Sequence, residues 1–268
     1  MSPFATAYGP WAVVAGASDG TGAAFAENLA ARGVNVVLVA RRRPLLEELA
    51  ARLPAQSRVV VQDLSMPDAG PALAAATADL DVGLLVYNAG ADDHSLPFLE
   101  QPADDLRVLV RRNCLTVLDA CHSFGARLVA RGRGGVILVT SGAAWAGGGN
   151  IAAYGATKAF DLVLAEALWA EWRGCGVDVL ALVLGATDTP SLRRLLARRG
   201  GAIPDLAQPE VVACEALDHL GDGPTWSYGA PDPQGPSPFG SVPRRQAVEF
   251  MTQGSAAVHH ASGESAGD

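Results

Sequence analysis

The sequence predicts an α/β fold, a doubly wound parallel sheet with helices on both faces in three layers (α/β/α). Short apolar, β-branched runs alternate along the chain with stretches of helical periodicity. The apolar runs lack the polar residue at every second position that marks a half-exposed strand, so we expect strands covered on both faces. The 268 residues suffice for one such domain to bury a core without disulfides or a structural metal.

The predicted elements alternate through most of the chain. Strands are predicted at residues 11–15, 35–39, 58–62, 82–87, 136–140, 177–184 and 225–228. Helices are predicted at residues 21–32, 44–53, 71–78, 104–131, 153–173, 191–199 and 209–220. We therefore assign residues 1–230 to a single domain.

The remaining residues, 231–268, are interpreted as a C-terminal extension. Its first part, 231–243, is rich in proline and glycine and predicts a loop. Its last part, 254–268, consists of small and polar residues and predicts a disordered tail.

The charge pattern bears on the partners. The formal net charge is -8, and the basic residues lie in short clusters such as 41–43, without one long tract. This pattern disfavours nucleic acid as a partner.

The cysteines and the N-terminus indicate the compartment. No CxxC spacing and no histidine at metal-ligand spacing is present, so neither a metal site nor a disulfide framework is predicted. The N-terminal apolar run is too short for a signal peptide or a membrane span and has no basic segment before it. We expect a cytoplasmic protein with no membrane partner and with reduced thiols. The cysteines are Cys114, Cys121, Cys175 and Cys214.

A glycine-rich turn joins the first predicted strand to the first predicted helix. Its glycines have the spacing GxxxGxG, and a turn this tight requires residues without a Cβ. Such a turn lets backbone N–H groups face a pyrophosphate, which predicts a dinucleotide site in a Rossmann fold. A glycine-rich turn that binds nothing is the alternative. The candidate residues are Gly16, Ser18, Asp19, Gly20, Thr21 and Gly22.

Arginines follow the second predicted strand at the place where NAD-selective folds carry an acid for the ribose 2′-hydroxyl. Guanidinium groups at Arg41 and Arg42 suit a 2′-phosphate, so NADP(H) is favoured and NAD(H) is possible. Asp19, in the glycine-rich turn, would weaken phosphate binding slightly. The alternative is a solvated basic start of the next helix.

A tyrosine and a lysine, Tyr154 and Lys158, share one face of the helix predicted at 153–173. A phenol is a poor base at neutral pH, and a neighbouring ammonium makes it usable by stabilising the phenolate. Ser141, at the end of the strand before, can point its hydroxyl into the same crevice and hold a carbonyl or carbinol oxygen. The Tyr–Lys spacing also occurs by chance on many helices.

Taken together, residues 11–228 resemble the short-chain dehydrogenase/reductase family. The counterparts of its motifs are the glycine-rich turn at 15–22, the run Tyr87-Asn88-Ala89-Gly90 after the fourth strand, and, in order, Asn113, Ser141, Tyr154 and Lys158. Three positions depart from the family pattern: Ala15, Tyr87 and Leu184. The last replaces a proline and leaves the nicotinamide loop less constrained.

The resemblance implies further cofactor contacts. Asp63 and Leu64 would contact the adenine, and Asn88, Ala89 and Gly90 would support the adenosine side. Near the nicotinamide and the phosphates, it implies Gly185, Thr187 and Thr189.

The resemblance also implies a reaction. Hydride passes between the nicotinamide and a carbonyl carbon, while Tyr154 donates its proton in reduction and accepts one in oxidation. Lys158 would also bind the nicotinamide ribose. Asn113 would hold a water that links Lys158 to solvent; alternatively it is an ordinary polar helix residue.

A small-molecule substrate is expected to lie between residues 91–98, 142–151 and 188–204. The apolar side chains there favour a hydrophobic ketone or secondary alcohol, aromatic or steroid-like, although the same residues could simply pack a lid. The candidate pocket residues are His94, Gly142, Trp145, Ile151, Leu192 and Leu195.

Two other functions remain open: a catalytically silent NADP(H)-binding regulator, and an epimerase or dehydratase on the same fold. The resemblance further implies a homodimer or homotetramer paired through the helices at 104–131 and 153–173. Phe160, Leu164 and Leu168 would then lie in the interface, or could equally face the sheet.

Overall fold

The computed structural model describes residues 2–92, 95–199, 203 and 205–257. Within them, parallel strands form one seven-stranded sheet in the order β3-β2-β1-β4-β5-β6-β7. The strands are β1 (Trp11–Ala15), β2 (Asn35–Ala40), β3 (Ser57–Val61), β4 (Val82–Tyr87), β5 (Gly134–Ser141), β6 (Val177–Leu184) and β7 (Thr225–Ser227). The predicted fold class, a doubly wound parallel sheet, is confirmed.

Helices connect the strands and flank both ends of the chain. They are α1 (Pro3–Tyr8), α2 (Gly20–Ala31), α3 (Arg43–Arg52), α4 (Ala69–Ala76), α5 (Ala103–Val110), α6 (Thr116–Arg131), α7 (Ala152–Trp172), α8 (Pro190–Arg199), α9 (Pro209–Asp218) and α10 (Arg244–Ala257). No helix of the described ranges is both long and apolar enough to cross a bilayer.

The core has two halves, one on each face of the sheet. Phe25 of α2 and Leu46 of α3 are completely buried on one face, together with residues of α9. Phe124 of α6 and Leu162 of α7 are buried on the other face, together with Leu73 of α4. The central strands thus contribute side chains to both faces, which explains their unbroken apolar sequences.

The order of the strands reverses between β1 and β4. After β3 the chain returns across the sheet, so that β4 pairs with β1 on the side opposite β2. In open α/β sheets, ligands bind at such a switch point, beyond the carboxyl ends of the strands. Every residue of the predicted catalytic and cofactor sites follows a strand at this edge or lies on a neighbouring helix.

The helix predicted at 104–131 is not continuous, and that prediction was wrong in this respect. A π-helical turn, Arg111–Leu115, separates α5 from α6. In the turn, the main-chain oxygen of Arg112 accepts a 2.8 Å hydrogen bond from the hydroxyl of Tyr87. The wider turn places Asn113 in the interior, where it has 0% exposure. Insertions of this kind are frequent at functional sites.

The C-terminal extension is more ordered than predicted. Residues 231–243 contain neither helix nor strand, as expected, but α10 continues to Ala257, so the tail predicted to begin at residue 254 was wrong for 254–257. Tertiary bonds stabilise this end of α10: the Thr252 hydroxyl accepts from the Gly149 N–H at 3.0 Å, and the Ser255 hydroxyl donates to the Gly149 oxygen at 2.7 Å. The rest of the predicted tail lies outside the described residues.

Candidate active site

A crevice of about 1430 Å³ opens along the carboxyl edge of the sheet. Its walls are the glycine-rich turn after β1, the ends of β4, β5 and β6, the first turns of α7, and α8. Residues of the C-terminal extension close the remaining side. The crevice therefore joins the predicted cofactor site to the predicted substrate pocket.

The glycine-rich turn leaves no room for side chains. Gly16 has a φ of +89°, and a Cβ there would lie 2.8 Å from the Ala89 nitrogen. A Cβ on Gly22 would lie 2.0 Å from the Gly16 oxygen. Gly20, with a φ of +54°, starts α2, and Thr21 follows it on the crevice wall. At these glycines the turn therefore presents only backbone atoms, at the N-terminus of a helix, and its N–H groups fit a dinucleotide pyrophosphate.

The two arginines predicted to contact the cofactor, Arg41 and Arg42, differ in whether their guanidinium groups are paired with an acid. The Arg42 guanidinium lies 2.7 Å from the Asp19 carboxylate and also donates to the Ser18 hydroxyl at 2.7 Å. Arg41 is exposed in the crevice wall, and its charge acts on the nearby Asp63 carboxylate. Asp19 therefore occupies the Arg42 guanidinium, and Arg41 is the more available of the two.

The other predicted adenosine contacts also line the crevice. Asp63 accepts hydrogen bonds from the main chain and hydroxyl of Ser65, at 2.9 and 2.6 Å, which fixes its carboxylate. Leu64, Ala89 and Gly90 contribute to the wall, and the amide of Asn88 donates to the Gly16 oxygen at 3.3 Å.

The loop after β6 forms the side of the crevice that was predicted to hold the nicotinamide. Gly185, Thr187 and Thr189 line the crevice there. The Thr187 hydroxyl donates to the Gly185 oxygen at 3.3 Å, and the Thr189 hydroxyl accepts from the Leu192 N–H at 3.2 Å. Thr187 also pairs with Ala207 in an isolated parallel bridge. These bonds brace a loop that lacks the proline expected at Leu184.

Ser141, Tyr154 and Lys158 line the same stretch of the crevice. Ser141 ends β5, and its oxygen accepts from the Ala143 N–H at 3.2 Å, so its own O–H remains able to donate. Tyr154 is half-buried near the start of α7, one helical turn before Lys158. The structure thus brings together a hydroxyl, a phenol and an ammonium at the sheet edge.

Asn113 lies behind this group and does not reach the crevice wall. Its side-chain amide donates to the Gly90 oxygen at 3.1 Å and to the Thr157 hydroxyl at 2.9 Å. It therefore links the end of β4 to α7. A Cβ on Gly90 would lie 2.6 Å from the Lys158 nitrogen and 3.4 Å from Asn113 Cγ, so both side chains pack against this glycine.

The Lys158 ammonium is held from two sides. It donates to the Val139 oxygen at 2.9 Å and to the Asp161 carboxylate at 3.0 Å. The side chains of Lys158 and Asp161 are only 5% and 4% exposed. Burial raises the pKa of Asp161, and the ammonium opposes that rise. Sequence reasoning missed Asp161, although an acid three residues after the lysine was a visible signal.

The substrate half is apolar and includes residues that the sequence did not indicate. Five of the predicted pocket residues line this half: Gly142, Trp145, Ile151, Leu192 and Leu195. The sixth, His94, lies outside the described residues. The missed residues come from the C-terminal extension: Phe239, Phe250 and Met251.

The C-terminal wall is attached to the loop after β5. The Arg244 guanidinium donates to the Trp145 oxygen at 3.0 Å. The rings of Phe239 and Phe250 lie edge to face, with centroids 5.9 Å apart. Phe239, an aromatic residue in the proline- and glycine-rich segment, was the signal that could have identified this wall.

Comparison with known proteins agrees with this geometry. Residues 10–200 match the family model described as short chain dehydrogenase. A 7beta-hydroxysteroid dehydrogenase of Collinsella aerofaciens is 37% identical over 222 residues, which cover 80% of this chain and 84% of that enzyme.

Solved structures agree as well. One from a study of 7beta-hydroxysteroid dehydrogenase stereoselectivity is 31% identical, has a TM-score of 0.82, and is matched over 94% of this chain and 99% of that one. A short-chain dehydrogenase of Sphingobium yanoikuyae in complex with NADPH is 28% identical, with a TM-score of 0.73 and coverage of 97% and 99%.

The family match covers strands β1 to β6 and includes Ser141, Tyr154, Lys158 and the glycine-rich turn, which line one crevice. The chain is therefore an oxidoreductase acting on CH–OH and C=O groups, and it belongs to the short-chain dehydrogenase/reductase family.

Proposed function

We propose that the protein is an NADP(H)-dependent oxidoreductase that interconverts a hydrophobic, steroid-like ketone and its secondary alcohol. The observation that carries this proposal is the convergence of Ser141, Tyr154 and Lys158 on one crevice that also contains the glycine-rich turn. A carbonyl group placed there lies within reach of a hydroxyl donor, a phenol and the cofactor site.

Each catalytic residue has a separate role. The bound dinucleotide supplies or accepts the hydride. The Ser141 O–H donates to the substrate oxygen and orients it. Tyr154 gives its phenolic proton to that oxygen in reduction and takes a proton back in oxidation. Lys158 uses two of its three N–H groups for Val139 and Asp161, and the third would be available to the ribose of a bound cofactor, beside Tyr154.

Asn113 supports this group from behind. Its bonds to Gly90 and Thr157 hold the end of β4 against α7. Its place beside Gly90, which also touches the Lys158 nitrogen, supports the role predicted from the sequence, in which Asn113 holds the relay water near Lys158.

The preference for NADP(H) rests on Arg41. The side chain is exposed at the adenosine end of the crevice, where a 2′-phosphate would lie. A guanidinium binds phosphate with charge-assisted hydrogen bonds. The crevice-lining residues on either side of Arg41 in the chain, Ala40 and Arg42, are not acids that would select a ribose hydroxyl. The NADPH complex of the Sphingobium yanoikuyae relative supports the same preference.

The steroid-like substrate rests on the apolar walls and on the relatives. The apolar residues that line the substrate half of the crevice include Trp145, Ile151, Leu195, Phe239 and Met251. Such walls bury a rigid hydrocarbon skeleton and leave its oxygen to the polar groups. The sequence and structure relatives that are 7beta-hydroxysteroid dehydrogenases support this class.

A substrate screen tests the proposal. Steroid ketones and hydroxysteroids, together with small aliphatic ketones and alcohols, are followed by nicotinamide absorbance with NADPH and with NADH. We expect turnover of steroid-sized substrates, faster with NADPH. Tight NADPH binding without turnover of any compound would contradict the proposal and favour a silent binding protein. Conversion without net change in nicotinamide absorbance would favour an epimerase or dehydratase.

We further propose that the protein pairs with a second copy through α5, α6 and α7. Phe160, Leu164 and Leu168 are partly buried against the core, which favours the alternative that they face the sheet. Large apolar side chains exposed on these helices are Val108, Val110, Leu118 and Val163, and Leu115 of the π-helical turn is exposed as well. Light scattering coupled to size-exclusion chromatography is expected to give a dimer or tetramer; a monomer at micromolar concentration would contradict this.

We also place the protein in the cytoplasm. Its four cysteines are free thiols, which suits a reducing compartment.

A further inference from the structure

Lys158 is the only lysine in the sequence, and its ammonium is paired with a buried acid. The Asp161 carboxylate lies 3.0 Å from the Lys158 nitrogen, one helical turn along the same face of α7. Both side chains are almost completely inaccessible to solvent. An ion pair on a helix surface is common and weak, but a buried pair places two full charges in a medium that screens them poorly.

Among the described residues, Lys158 is the cation whose charge acts on the Asp161 carboxylate. Its Oδ2 binds Lys158, and its Oδ1 has no hydrogen-bond donor among the described residues. Its negative charge raises the pKa of groups on the neighbouring elements β4, the π-helical turn and α6. These groups are Tyr87, Cys114 and Cys121.

The neighbouring groups stay neutral in the range in which an enzyme of this class works. Burial first, and Asp161 second, raise the pKa of Cys114 to about 11 and that of Cys121 to about 12. Burial and then the charge of Asp161 raise the pKa of Tyr87 well above its usual value, against the effect of Arg112. The Lys158–Asp161 pair is therefore the charged centre of this buried cluster.

We propose that Asp161 is a positioning residue of the reaction: a buried counter-charge that fixes the direction of the Lys158 ammonium and sets the pH range of the Tyr154–Lys158 pair. The proposal rests on the proposed oxidoreductase function. Asp161 and the Val139 oxygen together hold two of the three ammonium hydrogens, which leaves one to point into the crevice.

The negative charge of Asp161 shifts the pKa of every neighbouring group in the same direction, upward. A negative charge makes proton loss harder for a nearby phenol and for a nearby ammonium alike. In the wild type the carboxylate contacts the ammonium and stabilises its charge, and in the proposal it also offsets the positive field of Lys158 at Tyr154. Replacing Asp161 by a neutral side chain therefore shifts the ionisation of both Tyr154 and Lys158 to lower pH.

The single lysine makes this directly measurable. The full chain is prepared with lysine labelled with ¹³C at Cε, so that its one lysine signal belongs to Lys158, and the signal is titrated with pH in the wild type and in Asp161→Asn. We expect the midpoint to fall by about one pH unit or more in the variant, a tenfold change in the ionisation constant. An unchanged or higher midpoint overturns the proposal.

Two further variants serve as controls for the lysine titration. Glu171→Gln makes the same change of charge at an exposed position of α7, and it should leave the midpoint at its wild-type value. Asp161→Ser, which is smaller and leaves space for a water, should lower the midpoint as the amide does, and it replaces Asp161→Asn if that variant does not fold.

The pH profile of kcat completes the test. In alcohol oxidation both limbs of the profile should move to lower pH in Asp161→Asn, whereas a structural role alone would reduce kcat without moving them. If the wild type turns over no substrate, the proposed function fails, but the lysine titration still decides the ion pair. If the wild type is active and neither limb moves, Asp161 does not set the pH range.

Discussion

The Arg42 guanidinium lies 2.7 Å from the Asp19 carboxylate, so an arginine and an acid predicted as separate cofactor contacts are paired with each other. Arg194 of α8 reaches the same carboxylate at 3.9 Å. The Asp19 carboxylate thus contacts the guanidinium groups of both Arg42 and Arg194. The adjacent Arg41 stands apart from this group, in the wall beside Asp63.

The two arginines should therefore differ in their effect on cofactor affinity. Arg41→Ala removes a charge-assisted bond to the 2′-phosphate, which contributes about 1.5–3 kcal/mol. We expect the Kd of NADPH to rise roughly 10- to 100-fold and that of NADH to change little. Arg43→Ala is the control, because Arg43 pairs with Glu47 at 3.2 Å on an exposed face. Fluorescence titration with both cofactors measures the Kd values, and equal weakening of both would contradict the assignment.

Neutralising Asp19 should increase the affinity for NADPH, the opposite of the effect expected for Arg41→Ala. Asp19→Asn cancels a negative charge beside the phosphates and releases Arg42 from its partner. We expect NADPH to bind more tightly, with a stronger dependence of the Kd on salt, because more cationic charge faces the cofactor. A Kd that rises in this variant would show that Asp19 serves the cofactor by orienting Arg42.

The glycine-rich turn should not tolerate a methyl group. Gly22→Ala places a Cβ 2.0 Å from the Gly16 oxygen, a backbone atom that cannot move without opening the turn. We expect a loss of more than about 2 kcal/mol in the free energy of unfolding and loss of NADPH binding. Gly174→Ala, with no atom within 4 Å of the new Cβ, is the matched control. Urea denaturation followed by circular dichroism compares them, and equal stability would argue against the close approach.

The C-terminal wall should affect large substrates selectively. Phe250→Ala removes a ring from the rim of the substrate half, where it meets Phe239. We expect KM for steroid-sized substrates to rise about 10-fold, a cost of about 1.4 kcal/mol, and KM for small ketones to remain nearly constant. Val248→Ala, an exposed residue of the same helix, is the control. An equal change for small and large substrates would contradict a wall that contacts only the latter.

The sequence predicted those parts of the molecule that depend on local pattern. Strands such as β4 and β6 are unbroken apolar runs, and their ends were predicted within a residue or two. The glycine-rich turn was predicted equally well, because its backbone conformation requires residues without a Cβ and the glycines are visible in the sequence. Ser141, Tyr154 and Lys158 were found because their order and spacing are distinctive.

Features that depend on tertiary contacts were not predicted. An acid three residues after a lysine looks like a solvated surface pair, and only the fold buries Asp161, whose charge acts on Tyr87 of β4 and Cys121 of α6. The π-helical turn at Asn113 is stabilised by the hydroxyl of Tyr87, from a distant strand. The last residues of α10 are held by Gly149, which is far away in the sequence.

The central claim is that Tyr154 transfers the proton in an NADP(H)-dependent reaction, and Tyr154→Phe tests it most directly. This variant keeps the ring and removes only the hydroxyl. We expect kcat to fall by roughly 10²- to 10⁴-fold while the Kd of NADPH stays close to that of the wild type. Tyr228→Phe, which removes another phenol from the crevice wall, should keep most of the turnover. Wild-type kcat in Tyr154→Phe, measured under saturating NADPH and substrate, would contradict the account.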